Sequence, residues 1–225
     1  MSSERPILFS GEMVRAILEG KKTQTRRVMK PQPPDWIKEF GYTAFTPKGH
    51  ISGRGYWKGV PGDEGPGEKF FKCPYGMTGM KLWVRESYFP NYYYSDEPDS
   101  NLTAYKATWE FGDHNFVAPK WKPAIFMPRK YSRITLEIAN IWIERVQAIS
   151  QADAKAEGAL PWFACGDGMK EVENGVEFSI EHCPEEKRNY RKGYEFLWDT
   201  INAKRGHSWE SNPWVWAIEF RVVQK

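Results

Sequence analysis

The C-terminal run Trp214-Val-Trp-Ala-Ile-Glu-Phe-Arg-Val222 constrains the fold more than any other stretch. Trp214, Trp216, Ile218, Phe220 and Val222 recur at every second position, so all five fall on one face of an extended strand. Such a run needs neighbouring strands for its backbone and a core for its apolar face. Two shorter runs alternate similarly. Lys81-Leu-Trp-Val-Arg-Glu86 is one. In the other, Arg133-Ile-Thr-Leu-Glu-Ile138, Ile134, Leu136 and Ile138 share a face; the chain is expected to bend near Asn140 and resume as Ile141-Trp-Ile-Glu-Arg-Val146.

Three helices are expected against these strands, over 11–19, 151–157 and 185–203. Ser10 is a good N-cap, Met13, Val14, Ile17 and Leu18 form one stripe, and Gly20 supplies the stop. Ser150-x-x-Asp153 resembles a capping box, with Gly158 ending that helix. In the third, Tyr190, Tyr194, Leu197, Trp198 and Ile201 keep helical spacing after Pro184. Asn174-Gly175 between apolar runs predicts a type I′ hairpin. Residues 31–78 are rich in Pro and Gly and read as loops or an insertion. Strands outnumber helices and no regular strand–helix alternation occurs. The pattern therefore predicts an α+β chain, a mainly antiparallel sheet or small barrel with flanking helices, and not a dinucleotide-binding fold.

A chain of 225 residues fits one elaborated domain. At 40% hydrophobic and 27% charged, it has neither the composition of a disordered tail nor an apolar run long enough to span a bilayer. The start MSSERPILFSGE has no apolar signal core, and Cys73, Cys165 and Cys183 form no CxxC pair, so a reducing cytoplasm is expected. No metal is expected either: His50, His114, His182 and His207 are scattered, and His182-Cys183 with Cys165 matches no common zinc spacing. Cofactor motifs such as GxGxxG and GxxxxGK[ST] are missing, so no cofactor is expected. A formal charge of +3 is too mild to diagnose a nucleic-acid partner.

The segment Gly20-Lys-Lys-Thr-Gln-Thr-Arg-Arg27 is different, with four cations and two hydroxyls directly after a helix. It reads either as a solvated strand whose cations complement the negative helix end, or as an anion or nucleic-acid site.

In sequence order, Ile17 to Arg27 (ILxGxKTxTxR), Leu82 to Glu86 (LWVRE), Ile134 to Gly158 (a strand, then ISxxDAxAEG) and Trp214 to Phe220 (WVWxIEF) resemble the ASCH domain of the PUA-like superfamily. RPILFSGEMVRAILEGKKTQTRR, the CPYG at Cys73–Gly76 and the MPRKYSR at Met127–Arg133 are similar to its larger phage and prophage branch. One departure is that Gly79 is followed by Met80 and Lys81, where the family usually carries Gly-Asp. The resemblance implies a single PUA-like β-barrel over 1–225, with insertions at about 36–72, 90–120 and 160–184.

Two functions follow from it. Some small bacterial ASCH proteins are amidohydrolases that remove the acetyl group of N4-acetylcytidine with a Lys, a Thr and a Glu. Those three fall here on Lys22, Thr25 and Glu157. Thr is a poor nucleophile unless a base takes its proton, and a lysine does so only if burial or neighbouring cations such as Lys21, Arg26 and Arg27 lower its pKa. Glu157, ending a helix, is a carboxylate at the wrong pole of the dipole; it is either a tolerated surface residue or one that orients Lys22 or handles the leaving-group proton. Strict alternation puts Lys22 and Thr25 on opposite faces, so a shared site requires a turn between Gly20 and Thr25.

The second function is binding of RNA, favoured over DNA, without catalysis. Lys22, Arg26, Arg27, Lys30, Arg85, Arg129, Lys130 and Arg133 would then line a rim, with Tyr92, Tyr93, Tyr94, Trp57 and Trp121 available for stacking. Glu86 would pair with a cleft arginine or read a base edge. A phage structural protein is a third class, one with no use for a polar cleft.

Overall fold

The computed structural model describes residues 4–33, 39–42, 54–58, 69–94, 97–109, 120–163, 169–172, 175–178 and 185–224. In chain order, β1 is Arg5–Leu8, α1 is Gly11–Leu18 and β2 is Gln24–Val28. Then come β3 (Glu39–Tyr42), β4 (Arg54–Lys58), β5 (Lys69–Lys72), β6 (Lys81–Arg85), β7 (Tyr88–Tyr94) and β8 (Glu97–Tyr105). The long β9 (Thr135–Arg145) leads to α2 (Gln151–Ala156), β10 (Trp162–Phe163), β11 (Met169–Val172) and β12 (Gly175–Phe178). The chain ends with β13 (Arg188–Asn189), α3 (Tyr190–Asn202) and β14 (Trp214–Gln224). Helices and strands are thus mixed, as an α+β chain requires, around an open sheet.

Contacts divide the chain into two compact units. The first holds Met1–Thr23, Pro33–Trp142 and Ile218–Lys225. Its strands follow the order β1-β6-β9-β14, with β1 parallel to β6 and β6 antiparallel to β9. Strand β1 was not expected from the sequence: at four residues it is too short for periodicity to register. Being at the sheet edge, it tolerates Pro6, which has no N–H to give. Ile7, Leu82, Val84, Ile134, Leu136 and Ile138 are buried in this unit together with Val14 and Ile17 of α1. The Ser10 side chain caps α1 by accepting the Met13 N–H, and Gly20 adopts φ +74, which leaves the helix by the turn that glycine permits.

Part of the segment read as loops is paired. Strands β3, β4 and β5 form an antiparallel sheet in which Phe40 stands opposite Trp57 and Tyr56 opposite Phe70. Aromatics favour strands, while most of the Gly and Pro of this segment fall outside the described residues. Strands β7 and β8 form a second hairpin, with register shifts between Phe89 and Tyr94.

The second unit holds Gln24–Gln32 and Ile143–Ala217, and its strand order is β9-β14-β2. Its core joins Val146, Ile149, Ala154 and Ala159 to Tyr194, Trp198, Trp209 and Val215. Helix α3 begins at Tyr190, later than expected, because the Asn189 side chain accepts the Lys192 N–H and caps it there. The 174–175 hairpin is present with its register moved by one: Val172 pairs with Gly175, so Gly175 opens β12, and Asn174 lies outside the described residues. Val215, Trp216, Ala217 and Ile218 are all buried, so β14 is covered on both faces there and the expected alternation gives way. Trp214, read as core, is half-buried with the Arg145 guanidinium 4.3 Å from its ring centre.

Gly193 sets how closely α3 approaches the chain before β10. A Cβ at that position would sit 1.7 Å from the Leu160 carbonyl oxygen and 2.9 Å from its carbon. Gly193→Ala would gain about 1 kcal/mol of helix propensity, but overpacking against backbone costs about 1–3 kcal/mol. The clash wins. We expect a lower urea midpoint for Gly193→Ala, whereas a raised midpoint would mean that the Leu160 backbone moves away freely.

Candidate functional site

Strand β2 brings Arg26 into the second unit with none of its side chain exposed. Its Nε donates to Glu144 Oε1 at 2.6 Å, and its Nη1 donates to Gln24 Oε1 at 3.2 Å and to Glu157 Oε1 at 3.4 Å. Its Nη2 lies 3.6 Å from Asp153 Oδ2. One buried cation is therefore flanked by three carboxylates. Burial works against the Arg26 charge, but Glu157 and Glu144 outweigh it, and the guanidinium holds its proton more tightly than an ordinary arginine.

Asp153 has two roles. It accepts the Ser150 hydroxyl at 2.7 Å, while its own N–H donates to Ser150 Oγ at 3.0 Å, completing the expected helix start. It also accepts Gln24 Nε2 at 2.9 Å. Burial pushes its pKa up, yet the hydrogen bonds from Ser150 and Gln24 and the charge of Arg26 bring it below the ordinary aspartate value. Glu157, the C-cap residue of α2, is 4% exposed, so it is no surface residue. The Tyr194 hydroxyl is held well above the usual phenol value by burial and then by the negative charge of Glu157, with Arg26 and Arg27 pulling the other way.

Thr25, adjacent to Arg26 on β2, is 3% exposed. Arg27 is half-buried. Lys22 belongs to the first unit and is 1% exposed, with its ammonium 5.9 Å from the centre of the Phe9 ring. Between Gly20 and Thr25 the Lys21 and Lys22 N–H groups both donate to the Ala16 carbonyl, and β2 starts only at Gln24. Alternation does not extend back to Lys22, and both side chains are buried. Lys21 stays exposed and pairs with Glu19 at 2.6 Å.

The remaining candidates lie in the first unit. Glu86 is 1% exposed and takes a two-pronged bond from Arg133, Nε to Oε1 at 2.9 Å and Nη2 to Oε2 at 3.0 Å. The Arg133 guanidinium also stacks on Tyr105, 4.1 Å from the ring centre. Arg85 stacks on Trp83 at 4.7 Å and donates to the Ile125 carbonyl at 3.2 Å. Arg129 pairs with Glu4 at 2.7 Å.

Glu144, Gln24 and Asp153 were not singled out from the sequence as partners of Arg26. Asp153 was hidden by its capping role. Glu144 carried a signal, a carboxylate within the apolar run Ile141-Trp-Ile-Glu, where a half-buried charge needs a partner. Among the described residues no group of three or more His, Cys, Asp or Glu could hold a metal ion. Cys165, His182 and Cys183 lie outside them. Nor is any described helix long and apolar enough to cross a membrane.

No family model matches the chain, and neither the curated proteins nor the solved structures contain a match to it.

Proposed function

We propose that this protein is a hydrolase of the ASCH, PUA-like barrel type that cleaves an amide on an acylated nucleobase, of which N4-acetylcytidine is the model substrate. One observation carries the reading. Among the described residues six polar or charged side chains are buried, and Lys22, Thr25 and Glu157 are three of them. A solvated cationic strand would leave Lys22 and Glu157 in water, and removing either from water costs free energy that ordinary surface residues avoid. Of the cations that would line a phosphate-tracking rim, Arg26 is buried and Arg129 and Arg133 are engaged by Glu4 and Glu86, while Lys30 and Lys130 are exposed.

In this reading the Thr25 hydroxyl oxygen attacks the acyl carbon as a base takes its proton, the role that the resemblance gives to Lys22. Burial is the condition under which a lysine can serve as a base near neutral pH. The C–N bond then breaks as Glu157 passes to the leaving exocyclic nitrogen the proton that Thr25 gave up, and water cleaves the acyl-threonine ester, one of its protons returning to the threonine oxygen. The Arg26 cluster fixes the carboxylate of Glu157, because a buried ion pair with several bonds has little freedom to turn.

The test is to incubate the pure protein with N4-acetylcytidine and with unmodified cytidine, reading products by mass. Conversion of the acetylated nucleoside to cytidine and acetate is the expected result. No turnover of acylated nucleosides or acylated oligonucleotides would overturn the proposal.

A further inference from the structure

We propose that the surface carrying Leu160, Trp162 and Phe196, in the second unit, is a self-association face on which a second copy of this chain packs across a two-fold axis. Among the described residues seven large apolar side chains are exposed, and these three, at 73%, 50% and 49%, belong to one face. The Trp162 and Phe196 ring centres are 5.1 Å apart. Gly193 stands three residues before Phe196, on the same side of α3, and a Cβ there would meet the Leu160 carbonyl and, at 3.5 Å, the Trp162 nitrogen. Leu160 and Trp162 therefore lie against the side of α3 that carries Phe196. A lone exposed apolar residue needs no explanation; three on one face do.

The support of this face is fixed. Trp162 pairs with Asn189 where β10 meets β13. The Asn189 side chain accepts the Lys192 N–H at 2.8 Å and Gln151 Nε2 at 3.0 Å, so one residue ties the strand to the start of α3 and to α2. The three apolar side chains are displayed with little ordering left to lose on association.

Charge selects the occupant. The stretch 159–163 has no charged residue, and 185–199 has Lys187, Arg188, Arg191 and Lys192 against Glu185, Glu186, Glu195 and Asp199, four of each sign. Lys192, 5.3 Å from the Phe196 ring centre, pairs with Glu195 at 2.7 Å, and Glu185 pairs with Lys155 at 2.6 Å. Arg191 donates to the Gln147 carbonyl at 2.8 Å, and Asp199 accepts the Trp209 N–H at 2.6 Å. A strongly charged partner of either sign finds no surplus of the opposite sign here. A second copy does not need one. Across a two-fold axis it presents the same apolar centre and the same balanced charges in reversed order, so a cation of one copy can face an anion of the other, as an isologous interface requires.

The proposal does not depend on the hydrolase reading, since association is measured without turnover. The full chain is followed by sedimentation velocity from about 1 µM to about 300 µM, a range that brackets the micromolar dissociation constant expected of so small an apolar centre. Monomer should give way to dimer across it. Phe196→Glu and Leu160→Glu should each weaken the dimer about a hundredfold or more, because each substitution counts twice across a two-fold axis. Both side chains are exposed, so at about 1 µM, where the parent is monomeric, the variants should melt with it; should one melt early, the other still separates lost association from lost fold. With balanced charge, the dissociation constant should change less than about threefold between about 50 mM and 500 mM salt. A monomer at every concentration, a dimer indifferent to both substitutions, or a dimer that salt dissociates steeply would each overturn the proposal. So would a polyglutamate peptide that binds the parent and not Phe196→Glu, since it would give the face to an acidic partner.

Discussion

Replacing Thr25 by Val should abolish hydrolysis of the acylated nucleoside, lowering kcat by about a thousandfold or more while leaving the fold in place. The side chain is 3% exposed, and Val keeps its volume while deleting the hydroxyl, so a stability change of about 1 kcal/mol is the most that a lost hydrogen bond explains. Lys22→Ala and Glu157→Gln should each cost about 10²–10⁴ in rate, and the double variant little more than either, because groups acting in one step are non-additive. Rates from single turnovers, with circular dichroism on the same samples, check both halves. Undiminished hydrolysis by the Thr25→Val protein would remove Thr25 as the nucleophile.

A second large effect concerns stability. Arg26→Met should destabilise the protein by about 3 kcal/mol or more, since it leaves Glu144, Glu157 and Asp153 facing one another without the guanidinium. Adding Glu144→Gln and Glu157→Gln should recover part of the loss, because a buried neutral amide costs less than a buried unpaired charge. Acid dependence provides the second readout. The Asp153 carboxyl is below its ordinary value in the folded chain, so its stabilising contribution is complete above about pH 4 and is lost as pH falls through the lowered folded value. In Arg26→Met this acid-side slope should be reduced but not abolished, as Ser150 and Gln24 still donate to Asp153. Urea midpoints between pH 3 and pH 7, a range set by that ordinary value, measure both. A midpoint within experimental error of the parent at pH 7 would show that the cluster contributes nothing to stability.

Much of the local structure was legible in the chain. Ser10, Gly20, Ser150 and Gly158 mark helix ends through side-chain and backbone preferences that act over only a few residues, and α1 and α2 end within a residue or two of where they point. Strands β6, β9 and β14 announced themselves by alternation. Strand β1 and the β3–β5 sheet did not, since four or five residues carry too little periodic signal. Lys22, Thr25 and Glu157 stand out in the sequence only through the family resemblance, and their burial is a property of the fold.

What the sequence determined by itself is the set of elements and the identity of the charged residues that need an explanation. Tertiary structure alone decided which charge meets which. Arg26 finds Glu144 and Glu157 across 118 and 131 positions of chain, and Arg133 finds Glu86 across 47. Nothing local distinguishes those carboxylates from the other acidic residues of the chain. The choice is made when burial strips water from both partners, because only a pair that meets in good geometry recovers the cost of desolvation.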